Sequence, residues 1–157
     1  MKVIFLDFDG VLNSAEYDRE RDWSYNTNID ESRLPYLKRI IDATQAVIVL
    51  STTWRKHWNK QEKDCDEVGA WINRTFAKYG MQIYGKTPIL EHRATRKQEV
   101  LGWLAYPPEP IESFIMLDDE IKGWEELGDR LVRTSRYKGR GLEEEHVLQA
   151  IELLNRE

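Results

Sequence analysis

The chain has 157 residues, 41% hydrophobic and 32% charged, with a formal net charge of −5, enough apolar material to bury a core in a single domain over 1–157. The acidic balance argues against tight, sequence-independent nucleic-acid binding, though not against a brief encounter with a nucleic-acid end. No apolar run is long enough to cross a bilayer, the N-terminus lacks a signal-peptide pattern, and a lone Cys65 excludes an internal disulfide and gives no zinc pattern, so a cytoplasmic protein away from membranes is expected.

In chain order, Val3 to Leu6 reads as a strand buried on both faces, as in the middle of a parallel sheet. It runs into Asp7-Phe8-Asp9-Gly10, and strand alternation would send both carboxylates to one side. Paired acids at a strand tip repel each other, and a divalent cation is the usual remedy. An EF-hand loop starting at Asp7 is excluded because Val11 and Leu12 occupy its fifth and sixth positions. An ordinary Asp-Gly turn is the competing reading.

Residues 14–28 are polar without clean periodicity and are expected to form a long loop or flap. Ser32 is the expected cap of a helix whose apolar stripe is Leu34, Leu37, Ile40 and Ile41. A second buried strand, Ala46 to Leu50, delivers Ser51-Thr52-Thr53-Trp54-Arg55. Hydroxyls and exposed backbone N–H groups there suit a phosphate, although a helix cap uses the same residues. Asp64 and Glu67 have capping-box spacing for a helix reaching Tyr79 and ended by Gly80, followed by a short strand over Met81 to Tyr84.

Gly80 to Thr87 matches the P-loop pattern literally. The match is rejected, because a helix precedes it, bulky residues fill it and Pro88 follows. Thr95 and Gln98 form another capping box, opening a helix with Val100, Leu101 and Leu104 inward. Arg96 and Lys97 oppose its dipole, a conflict that a bound anion would relieve.

A third strand, Phe114 to Leu117, ends in Asp118-Asp119. Asp119 is the expected cap of a short helix with Ile121, Trp124 and Leu127 inward and Gly128 at its end. Leu131-Val132 is an edge strand. The cations around and after it, Arg130, Arg133, Arg136, Lys138 and Arg140, read as a solvated face. A last helix near Leu142 to Asn155 places Val147, Leu148, Ile151 and Leu154 inward.

Strands alternating with helices predict an α/β, Rossmann-like three-layer sandwich with a mainly parallel sheet. Three strand tips then bring acids and hydroxyls to one edge, where open α/β sheets bind ligands.

These motifs, in this order, resemble the haloacid dehalogenase-like (HAD) superfamily, and most closely the small HAD domain of Swiss Army Knife RNA repair proteins. The likeness runs through Leu6-Asp7-Phe8-Asp9-Gly10-Val11-Leu12-Asn13, Leu50 to Arg55, Thr87-Pro88, Arg96-x-x-Glu99-Val100-x-x-Trp103-Leu104 and Leu117-Asp118-Asp119. It implies a Mg²⁺-dependent phosphatase without a large cap domain. Asp7 would be the nucleophile and Asp9 the general acid/base. Ser51 or Thr52 would bind phosphate, with Arg96 or Lys97 as the cation of the third motif. Mg²⁺ would sit between Asp7, the Asp9 backbone oxygen and Asp118 or Asp119. The substrate would be a phosphorylated small molecule or a nucleic-acid 3′-phosphate end, with Trp23, Tyr25, Trp54 or Trp58 as stacking surfaces. A non-catalytic phosphate- or metal-binding module on the same fold is the alternative.

Overall fold

The computed structural model describes residues 1–21, 29–91 and 93–156. Its strands are the short apolar runs, because only a segment buried on both faces can stay apolar throughout. They are β1 (Lys2–Leu6), β2 (Val47–Leu50), β3 (Ile83–Lys86), β4 (Ser113–Asp118) and β5 (Leu131–Arg133). All pair in parallel, in the order β3-β2-β1-β4-β5, with β1 at the centre. Leu6 lies beside both Leu50 and Leu117, so the chain leaves three neighbouring strands at one level.

Alternation along each strand sorts its side chains onto two faces. Ile4, Leu6, Ile48, Leu50, Ile115 and Leu117 point to one core, which holds helices α2 (Leu34–Thr44), α3 (Glu67–Ala77) and α5 (Glu144–Asn155). Val3, Phe5, Val49 and Met116 point to the other, covered by α4 (Arg96–Ala105) and Trp124. This is the expected three-layer, Rossmann-like α/β architecture. Among the described residues, no helix is long and apolar enough to cross a membrane.

Several local expectations need correction. The first part of the expected 14–28 loop is a helix, α1 (Ala15–Glu20), capped by Ser14, whose hydroxyl accepts from the Tyr17 N–H. Six residues are too few to show periodicity, so the cap was the available signal. Residues 22–28, with Trp23 and Tyr25, lie outside the described residues. Asp30, not Ser32, caps the 3-10 turn Glu31–Arg33 that leads into α2, and the Ser32 hydroxyl donates to that same carboxylate. Asp66, not Asp64, caps α3. The strand expected over Met81 to Tyr84 lies two residues later, in β3.

Leu101, Leu148 and Ile121 face solvent rather than the core. In α4 the expected Val100 and Leu104 do meet the sheet, and Trp103 joins them. In α5 Ala150 and Leu153 turn inward where Leu148 was expected. The capping box of Thr95 and Gln98 is present as read, and it sets where α4 begins.

Candidate active site

β1 ends at Leu6, and the backbone then tightens, with the Val11 and Leu12 N–H groups both donating to the Phe8 carbonyl. Asp7 stays level with the strand ends because its N–H donates to the Leu117 carbonyl. Its carboxylate is only 5% exposed and accepts from the Phe8 N–H at 2.8 Å. Asp9 follows beyond the end of β1 and is half-buried. Asn13 accepts from the Gly10 N–H at 2.8 Å and donates to the Asp9 carboxylate at 3.0 Å.

Gly10 has φ +78°, a left-handed conformation that favours glycine. A Cβ at this position would lie 2.2 Å from the Asp119 carboxylate oxygen, so this turn has room for Asp119 only without a side chain. The Thr134 hydroxyl, just past β5, donates to the Gly10 carbonyl at 2.6 Å and ties the turn to the far edge of the sheet.

β4 brings its two acids to the same place. Carboxylate oxygens of Asp7, Asp118 and Asp119 all lie within 4.8 Å of one another, close enough to hold one metal ion. Asp118 also accepts from the Glu120 N–H at 2.9 Å. Asp119 therefore caps no helix. The 3-10 segment that follows (Glu125–Arg130) has no side-chain cap, and Asp119 is turned toward Asp7 instead. The Asp9 carboxylate is not in this trio.

The charge is out of balance. Burial pushes the Asp7 carboxyl up to about 7, with Arg96 opposing the shift and Asp118 and Asp9 adding to it. Burial, then the adjacent Asp118, raises Asp119 to about 6. Among the described residues, Arg96 is the one cation paired with the trio, at 3.2 Å from Asp7. Hard oxygen donors in excess of their counter-charge fit a divalent cation such as Mg²⁺.

Arg96 also donates to the Ser51 carbonyl, which joins the tip of β2 to Asp7 through one guanidinium. Ser51 is buried, and its N–H extends the sheet to the Leu6 carbonyl. Thr52 is fully buried, and its hydroxyl accepts from the Trp54 N–H at 3.3 Å, opening a 3-10 turn (Thr53–His57). Lys97, next to Arg96, pairs with Glu126. Asp7, Arg96, Lys97, Asp118 and Asp119 all line one cavity of about 480 Å³.

A supporting layer escaped the sequence reading. Arg55 is buried and donates to the carbonyls of Thr52, Thr87 and Pro88, and it pairs with buried Glu99 of α4. This one side chain fastens the tips of β2 and β3 to the helix that carries Arg96. Its partner lies 44 positions away, so no local pattern announces the pair. Lys86, the lysine of the rejected P-loop match, donates to the carbonyls of Arg55 and Trp58 and is part of the same scaffold. Trp58 is a core residue and so no free stacking platform, while Trp54 packs half-buried against the same core.

An all-parallel sheet whose central strand ends in Asp-x-Asp-Gly, with two further acids from its neighbour, defines a Rossmann-like HAD fold. The chain belongs to the family described as the HAD domain in Swiss Army Knife RNA repair proteins, whose profile matches residues 3–147. No curated protein and no solved structure gives a match.

Proposed function

We propose that this protein is a Mg²⁺-dependent phosphatase that hydrolyses phosphomonoesters through an aspartyl-phosphate on Asp7. The observation carrying this reading is the trio of carboxylates within 4.8 Å, one of them nearly buried and touching a guanidinium. Family membership supports it, and the words RNA repair in the family's description support nucleic-acid ends as substrates beside small phosphate esters.

The Asp7 carboxylate attacks phosphorus, and the ester P–O bond opposite it breaks. Asp9 gives its proton to the leaving oxygen. A water then loses a proton to Asp9 and attacks the same phosphorus, which restores Asp7 and frees inorganic phosphate. Asn13 fixes the orientation of the Asp9 carboxylate through both steps. Arg96 takes the third-motif role, because it contacts Asp7 while Lys97 is spent on Glu126, and it draws negative charge from the phosphoryl oxygens. Ser51, beside Asp7, supplies the phosphate-binding hydroxyl, since that of Thr52 is engaged in a cap.

Asp7, Asp118, Asp119 and the Asp9 carbonyl would hold the Mg²⁺, which neutralises the acids and the incoming phosphate when bound. The test is phosphate release from 4-nitrophenyl phosphate and from a 3′-phosphorylated oligonucleotide, with and without Mg²⁺. Turnover is expected only with the metal and is abolished in Asp7→Asn. Turnover that survives this substitution removes Asp7 as nucleophile, and Mg²⁺ binding with no turnover favours a non-catalytic module.

A further inference from the structure

Of the cations expected to form a solvated face after β5, two are consumed within the fold. Arg136 pairs with buried Asp18, and Arg140 with Glu16, Glu20 and Asp30. Arg133 and Lys138 have no carboxylate partner among the described residues, since Arg133 donates only to the Asp119 carbonyl. Both are exposed, and Tyr137 between them is 78% exposed. These three residues line a second cavity of about 530 Å³, whose wall includes Asp119 and Glu120. The same two acids line the cavity over Asp7, so the two spaces adjoin.

Exposed cations without carboxylate partners, interleaved with an exposed aromatic ring, form the pattern that holds single-stranded nucleic acid, with phosphates on the charges and a base on the ring. A duplex end would offer no unstacked base to Tyr137. The α5 side of this cavity carries Glu143 and Glu145. Glu143 is committed to capping α5 and to the Arg140 N–H, and Glu145 lies beside His146. Arg133 and Lys138 lie on the other wall, which Asp119 and Glu120 share.

We infer that this second cavity is a strand-binding site. It takes the nucleotides next to a terminal phosphate that lies over Asp7, with Arg133 and Lys138 on backbone phosphates and Tyr137 stacked on a base. The inference rests on the phosphatase reading and narrows its substrate to the end of a single strand. It also places the specificity of the enzyme outside the acid trio.

The test measures kcat/KM for a short, single-stranded oligoribonucleotide bearing a 3′-phosphate against that for 4-nitrophenyl phosphate. In parallel, fluorescence anisotropy records binding of the same oligonucleotide to Asp7→Asn protein. Tyr137→Ala combined with Lys138→Glu is expected to lower the oligonucleotide-to-aryl ratio about tenfold or more, and to weaken binding by a similar factor. Binding should weaken with rising salt, and less steeply in the double variant. A ratio and an affinity that the double variant leaves unchanged overturn the inference while the phosphatase reading stands. If wild-type protein turns over neither substrate, that reading fails, and anisotropy alone decides. Binding lost in the double variant then supports the site, and equal or absent binding refutes it.

Discussion

Two groups of buried charge sit at the same edge of the sheet and follow opposite rules. Around Arg55, one cation meets three carbonyls and the Glu99 carboxylate, so its donors are matched by acceptors. Around Asp7, three carboxylates share one guanidinium. A buried pair with complete hydrogen bonding holds strands and helix in place. A trio of like charges, two of them buried, destabilises the fold by itself, and a ligand that brings the missing positive charge relieves it. The first group serves architecture. In the proposed reading, the second is kept out of balance for binding a cation.

The largest effect that would break this contrast is on chemistry. Asp7→Asn should lower kcat by at least about a thousandfold, because in the proposed mechanism it removes the nucleophile rather than a supporting contact. It should also raise the melting temperature of metal-free protein by a few degrees above neutral pH, since it removes a repelling charge. A nucleophile substitution that destabilised the fold would mean that Asp7 is structural after all.

Next comes the matched group. Arg55→Ala should cost roughly 3–5 kcal/mol of stability by denaturant unfolding, because it strands Glu99 without a partner. Glu99→Gln should cost less, since Arg55 keeps its three carbonyls. Equal costs would show that the carbonyls contribute nothing.

Gly10→Ala tests the space beside the trio. The added methyl meets Asp119 and the backbone is in a left-handed conformation, so about 1–3 kcal/mol of stability should be lost. Mg²⁺ affinity by calorimetry should fall with it. The smallest effect is at the start of α4, where Thr95→Ala should cost about 1 kcal/mol and weaken phosphate binding through Arg96.

Much of this was legible in sequence. The runs Val3 to Leu6, Val47 to Leu50 and Phe114 to Leu117 could be read because strands buried on both faces tolerate no polar residue. The acids were legible as pairs at strand tips, and Asp118 and Asp119 do meet Asp7. What escaped depends on contacts between distant segments. Arg55 and Glu99 look like ordinary surface charges until the fold brings them together. Arg136 and Arg140 likewise read as solvated until α1 supplies Asp18, Glu16 and Glu20. The helical reading of Asp119 failed because the Gly10 turn leaves space for its carboxylate beside Asp7, and a sequence window holds no record of that space.

The most direct measurement is the melting temperature from about pH 5 to about pH 8, with and without millimolar Mg²⁺. With the Asp7 carboxyl raised to about 7 and that of Asp119 to about 6, the folded chain holds protons that the unfolded chain has already released. Stability of the metal-free protein should therefore fall as pH rises from about 4 through about 7. Mg²⁺ should abolish that fall in wild-type protein and have little effect in Asp118→Asn. A flat metal-free profile, or a Mg²⁺ response that is absent or identical in the variant, would contradict the claim that these acids await a cation.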